Sequence, residues 1–227
     1  MTSPHPLDRP VWSSLTSRQA HVALSNGLAR RFDPAFGLFA AAADASPQSL
    51  AALTALVAKR DVVAIVEAEP QPHLPGVKAE AHVVWQMVTG RLADWPAPAF
   101  EVVPLTAADA PQMLALATLT KPGPFFARTH ELGNFVGVKR DGELVAMAGE
   151  RMKPNGFTEL SGVCTAPSHR GLGYAGALSH LIATGIFARG EMPFLHVFAH
   201  NPGAIALYQA LGFNLRREMH MRVLTSA

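Results

Sequence analysis

The sequence predicts an α/β (α+β) protein whose legible part begins near residue 100, and three observations predict it. From Phe100 onward the apolar spacing switches between strand and helix periods in the order β, α, β, β, β, α, β, α, β. The second and third of those strands meet at Arg140-Asp141-Gly142, where Asp-Gly supplies the positive φ of a tight hairpin turn. The fourth strand, Phe157 to Thr165, runs through a short loop into two glycines that open a helix, an order that aims backbone donors at a phosphate.

Residues 1 to 45 are the least informative, punctuated by Asp33-Pro34 and Gly37, with Leu38 to Ala43 too alanine-rich to assign. Ser46-Pro47 starts a helix, a cap followed by proline at the first helical position, carrying Leu50, Leu53, Leu56 and Val57. Asp61 to Glu69 reads as a strand, Gln71 to Gly76 as a loop and His82 to Val88 as another strand. Asp94-Trp-Pro-Ala-Pro98 marks a linker. The chain is therefore expected to divide into residues 1–98, a smaller α/β region with the look of a degenerate relative of the second half, and residues 99–227. No motif in the first region carries chemistry.

Phe100 to Leu105 is a strand, and Thr106 with Asp109 three residues on forms an approximate capping box for a helix reaching Leu119. Thr120-Lys-Pro-Gly-Pro-Phe-Phe126 is a loop stiffened by prolines. Phe135 to Lys139 and Glu143 to Met152 form the hairpin, and Pro167 and Ser168 end the strand after it. Leu172 to Arg189 is a helix with Ala175, Leu178, Ile182 and Ile186 on one face, stopped by Gly190 and Pro193. Its first turn leaves orphan N–H groups beside Arg170, and Gly171 and Gly173 have no Cβ to hold an oxygen away from them. This is an anion site. Gly171, Gly173 and Gly176 also fit GxGxxG, but too few strands remain for a doubly wound dinucleotide fold, and the next strand, Pro193 to Ala199, ends in His200-Asn201 rather than the expected acidic residue. The lack of GK[ST] excludes a P-loop.

Arg170-Gly171-Leu172-Gly173-Tyr174-Ala175 resembles the [RQ]xxGx[GA] acetyl-CoA signature of the GNAT superfamily of N-acetyltransferases, and the run from Asn201 through Ala204 and Tyr208 to Phe213 resembles its NxxAxxLYxxxGF helix. The resemblance covers roughly residue 100 to the end. It implies a GNAT fold, a central mixed, mostly antiparallel sheet flanked by helices, with acetyl-CoA as cofactor and CoA as product. It also implies that Val163, Cys164 and Thr165 bind the pantetheine arm, and that Arg170, Gly171, Leu172, Gly173, Tyr174, Ala175, Asn201, Ala204 and Tyr208 line the cofactor. The PGPF loop and the LVAMAGERM strand look most like the glycine N-acyltransferase-like branch, which favours small acceptors.

Composition narrows the class. A net charge of +2, from 19 basic against 17 acidic residues, lacks the basic stripe of a nucleic-acid binder. One cysteine excludes an intramolecular disulfide framework and suits a reducing compartment. Without an apolar stretch near the N-terminus or a run long enough for a membrane helix, a cytoplasmic monomer or homodimer is expected, with no membrane or nucleic-acid partner.

Acetyl transfer to an amine needs a neutral amine and a proton for the departing thiolate. Glu159, on the strand leading into the phosphate loop, is the candidate base, the alternative being a carboxylate paired to an arginine such as Arg151; Glu150 is second. Tyr208 is the candidate acid, the alternative being a core aromatic. Phe125 or Phe126, adjacent aromatics in a loop, and Glu150 are expected to wall the acceptor pocket. Cys164 reads as a small buried hydrophobe rather than a nucleophile. His196 and His200 fall on a strand running into a loop, without helical ligand geometry, and no metal is expected. The expected reaction is acetyl transfer from acetyl-CoA to the amine of a small molecule by direct attack in a ternary complex; the alternative is a non-catalytic acyl-CoA binding or sensing module.

Overall fold

The computed structural model describes residues 5–57, 61–74 and 76–226. Pro75 of the expected loop lies outside them. The first segment contributes helix α1 (Pro10–Leu15), strands β1 (Ala23–Asn26), β2 (Ala29–Phe32) and β3 (Ala40–Ala42), helix α2 (Pro47–Ala55), and strands β4 (Val62–Glu67) and β5 (Val77–Val88). The alanine-rich run is thus a strand, legible only from its pairing with β2. Ser46 caps α2 as expected, accepting the Ser49 N–H at 3.2 Å.

From residue 103 the order is β6 (Val103–Leu105), α3 (Ala110–Thr120), β7 (Phe135–Arg140), β8 (Glu143–Glu150), β9 (Phe157–Thr165), α4 (Tyr174–Ala188), β10 (Met192–Phe198), α5 (Pro202–Ala210) and β11 (Asn214–Ser226). This is the expected sequence of elements. β6 is shorter than the expected strand from Phe100, because the Phe100 ring turns aside to meet Tyr174 edge-on at 4.6 Å. The Thr106/Asp109 capping box forms, with the Thr106 N–H donating to Asp109 Oδ2 at 2.8 Å. At the β7–β8 turn Asp141 and Gly142 both take positive φ, 51° and 83°.

β1, β2 and β3 form a small antiparallel sheet. The main sheet has eight strands in the order β4-β11-β5-β10-β9-β8-β7-β6, and β9 with β10 is its one parallel pair. The boundary expected at residue 98 crosses this sheet. β5, from before it, lies between β10 and β11, while β11, from the end of the chain, lies between β5 and β4. The two segments also share a core, in which Leu15, Phe32 and Phe39 pack in one cluster with Phe194 and Met219. On α4, Leu178, Ile182 and Ile186 are buried against the sheet as the helical spacing predicted. The expected linker docks on that helix: Trp95 covers Gly176, where a Cβ would come within 2.4 Å of the indole. No helix among the described residues is long and apolar enough to cross a membrane.

Candidate functional site

β9 and β10 hydrogen-bond only from Phe157↔Met192 to Glu159↔Phe194. Beyond that point β10 pairs with β5 alone on one side, and β9 keeps β8 on the other, so the two parallel strands part. An extra residue on β9 opposite Met147–Gly149, with Gly162 at φ 64°, bulges the strand at the opening. A bulge of this kind re-aims the residues around it.

The opening leads to two concavities. The first, about 410 Å³, is walled by the end of β9, the loop into α4 and one side of α5. All twelve residues expected around a cofactor line it: Val163, Cys164, Thr165, Arg170, Gly171, Leu172, Gly173, Tyr174, Ala175, Asn201, Ala204 and Tyr208. Gly171 and Gly173 take φ of 82° and 78° with open space where a Cβ would be, and Gly173 caps α4 without a side chain. The first-turn N–H groups therefore face the groove uncapped, as an anion site requires. Asn201 caps α5 through Oδ1, which accepts the Ala204 N–H at 3.2 Å. Leu207, His169 and Thr120 also line the groove and were not expected.

The second concavity, about 210 Å³, adjoins it and shares Lys121, Pro122, Val163, Asn201, Ala204 and Tyr208. Tyr208 is half-buried at this junction, its ring edge-on to Phe213 at 6.2 Å. Burial pushes its hydroxyl up to about 12, with the neighbouring Cys164 a smaller contribution, so the phenol stays protonated. Burial likewise raises the Cys164 thiol to about 11, which leaves no activated thiolate.

Four expected residues differ. Glu159 is fully buried, and both its oxygens are taken: Oε2 accepts Arg151 Nε at 2.8 Å and the Met152 N–H at 3.2 Å, and Oε1 accepts Arg151 Nη2 at 2.7 Å and meets His196 Nδ1 at 2.8 Å. Burial alone would raise its pKa, but the guanidinium and imidazole hold it well below the ordinary carboxylate range. It is not among the residues that border the cavity. The weighed alternative, an ion pair with Arg151, is the arrangement present.

Glu150 is 1% exposed and bound by Arg189 Nη2 at 2.7 Å and Lys153 Nζ at 3.0 Å, away from both concavities. Strand alternation puts it on the other face from its neighbour Arg151. The phenylalanines also miss the cavity. Phe125 packs edge-on against Phe135 at 5.8 Å, and the loop borders the cavity through Lys121, Pro122, Gly123 and Pro124 instead. Two adjacent rings drew attention in the sequence, whereas the αL conformation of Lys121, φ 51°, is what turns the loop toward the opening.

His196 borders the cavity with both ring nitrogens engaged. Gln86 Nε2 donates to the Leu7 carbonyl at 2.8 Å and its Oε1 accepts Arg216 Nη1 at 2.9 Å, which fixes the amide's orientation. His196 Nε2, 3.1 Å from Gln86 Nε2, must then accept, so Nδ1 carries the proton that goes to Glu159. The apolar wall comes from Phe39, Val66 and Val84 before residue 98, and from Met221. Nothing in the sequence marked them, because an apolar residue in a strand reads alike whether it faces core or ligand.

Over 98% of its length this chain is 43% identical to a protein from Novosphingobium aromaticivorans assigned to the GNAT family of acetyltransferases; the match covers 99% of that crystal structure with a TM-score of 0.88. The chain belongs to the GNAT family. The FR47-like protein family matches this GNAT chain over residues 135–223, from β7 into β11. A GCN5-related N-acetyltransferase from Kribbella flavida, 20% identical over 95% of both chains with a TM-score of 0.63, shares the fold. So does a GCN5-related N-acetyltransferase-like protein from Streptococcus suis, 15% identical over 97% of this chain and 93% of that one, with a TM-score of 0.61. No curated protein matches the GNAT chain in sequence.

Proposed function

We propose that this GNAT chain is an acetyl-CoA-dependent N-acetyltransferase that passes an acetyl group directly to the amine of a small molecule while both substrates are bound. The observation that carries the reading is the meeting of two concavities at Val163, Asn201 and Tyr208, one ending in an uncapped helix N-terminus and the other small, with one apolar wall and one polar wall. Acetyl-CoA supplies the activated thioester. Arg170 and the N–H groups at the start of α4 hold its pyrophosphate, and the backbone of Val163, Cys164 and Thr165, freed from pairing with β10, holds the pantetheine arm along Asn201 and Ala204.

Tyr208 then donates a proton to the departing thiolate. Its hydroxyl is protonated at neutral pH and makes no hydrogen bond among the described residues, so it has a donor to offer. Glu159 and Glu150 are both tied into ion pairs, which leaves water entering past the rim at Lys121 and Gly123, both exposed, to take the amine's proton. The small cavity and the proline-rich loop agree with a glycine N-acyltransferase-like acceptor range. The unpartnered Tyr208 hydroxyl at the junction favours turnover over a purely binding role.

A thiol-release assay with acetyl-CoA and a panel of primary amines, backed by mass detection of the acetylated product, tests the reading. Release that depends on the amine is expected. Tight acetyl-CoA binding without release from any amine would instead identify a binding module.

A further inference from the structure

We propose that Arg151, clamped by Glu159, is the specificity-determining group of the second cavity, and that the acceptor is an amine that also carries a carboxylate and an apolar side chain, as an apolar α-amino acid does. The inference rests on the acetyl-transfer reading and adds the chemistry of the acceptor.

Arg151 is held from two sides. Its Nε and Nη2 form the paired bonds to Glu159, its Cζ lies 4.6 Å over the Phe39 ring, and Glu159 is itself tied to His196, whose tautomer Gln86 sets. The remaining nitrogen, Nη1, makes no hydrogen bond among the described residues, and the side chain borders the cavity at 12% exposure. A guanidinium oriented in this way offers two N–H bonds in a fixed direction, which suits a carboxylate oxygen. Glu159 neutralises the guanidinium, and the N–H groups of Nη1 have no partner among the described residues.

The rest of the wall agrees. Among the residues bordering the cavity there is no Asp or Glu, and its other cationic side chain, Lys121, stands at the mouth. A second ammonium on the substrate would find no counterion, which disfavours polyamines and lysine-rich tails. Phe39, Val66, Val84 and Met221 make a surface for an apolar side chain, and about 210 Å³ suits a ligand of amino-acid size. The segment before residue 98 thereby acquires a role, since three of those four side chains come from it, one of them the Phe39 ring under Arg151.

The test is kcat/KM, by thiol release at saturating acetyl-CoA, for leucine, methionine and phenylalanine, each beside its decarboxylated amine and its carboxamide, with 1,4-diaminobutane included. Each acid is expected to exceed its decarboxylated and amide partners by about ten- to a hundredfold, or roughly 1.4 to 2.8 kcal/mol at 1.4 kcal/mol per tenfold. Partner amines that match or exceed the acids would overturn the proposal while leaving acetyl transfer standing. So would release from no member of this panel in protein that still releases thiol with other primary amines. Loss of acetyl-CoA binding in the native protein would instead overturn the transfer reading. Because Arg151→Met alone strands a buried carboxylate, the variant to compare is Arg151→Met with Glu159→Gln, which removes both charges. In folded double mutant the leucine-to-isoamylamine ratio is expected to fall toward one; an unchanged ratio would show that Arg151 does not read the carboxylate.

Discussion

Glu159→Gln separates two roles that a buried strand glutamate in this fold can play. If the carboxylate anchors Arg151, its replacement leaves a guanidinium facing an amide that can both donate and accept, and the Arg151–His196 cluster loses its only negative charge. Removing one partner of a buried pair is destabilising by about 3–5 kcal/mol, and the 12% exposure of Arg151 puts this case near the lower end, at roughly 3 kcal/mol. In a chain of 227 residues, at about 2–4 °C per kcal/mol, the melting temperature should fall by ~6–12 °C. The difference should also depend on pH in a definite direction. Because the folded-state pKa of Glu159 lies below its ordinary 4.5, the pair stabilises the native protein fully above that value and progressively less as pH falls beneath it. The gap between wild type and variant should therefore be constant above about pH 5.5 and close in acid. Differential scanning fluorimetry across pH, run beside thiol release on the same samples, makes the measurement. A base would behave differently. If the melting temperature is unchanged and kcat drops a hundredfold or more, the anchoring account is wrong and Glu159 does remove the proton.

Gly173→Glu should abolish acetyl-CoA binding by isothermal calorimetry while the protein still melts cooperatively, since it places a carboxylate where the uncapped N–H groups of α4 point into open space. Tyr208→Phe should lower kcat by on the order of a hundredfold with the KM for acetyl-CoA nearly unchanged, because only the donated proton is lost. With a thiol pushed up to about 11, Cys164 should resist iodoacetamide at pH 8 in the native protein, as read by intact mass, and Cys164→Ala should keep its activity. Phe125→Ala should leave the amine's KM alone and lower the melting temperature, because the ring packs on Phe135 rather than on the cavity.

The groove was legible because its parts are local. Arg170 to Ala175 and Asn201 to Tyr208 each occupy one loop-to-helix junction; the first reads as an anion site from its own residues, while the second was placed by its resemblance to the GNAT helix, since spacing alone favours a core aromatic at Tyr208. β9 also reads from its own residues, and its ends at Phe157 and Thr165 match the strand read from its apolar and β-branched content. The second cavity was not legible, since Phe39, Val66, Val84 and Arg151 come together only through strand pairing between distant segments. The misplacement of Glu150 has a narrower cause. A charged residue in a strand is ambiguous between its two faces until a partner is known, and Arg189, the partner, arrives from the far end of α4.

The exchange of β5 and β11 bears on how such a chain reaches its native state. β11 pairs with β4 from Glu67↔His220 to Val62↔Thr225, and with β5 from Val88↔Asn214 to Val77↔Ser226, contacts among the most remote in sequence that the fold makes. During synthesis both β4 and β5 emerge long before β11 exists to join them, and at about 5–20 residues per second their bare hydrogen-bonding edges stay open for roughly 5–30 s. Edges of that kind recruit other strands, whether from the same chain or from a neighbour. Folding of this sheet is thus governed by its last strand: the nascent protein is most vulnerable to aggregation just before β11 arrives, and the cavity it lines through Met221 cannot exist on the ribosome until that strand has closed the sheet.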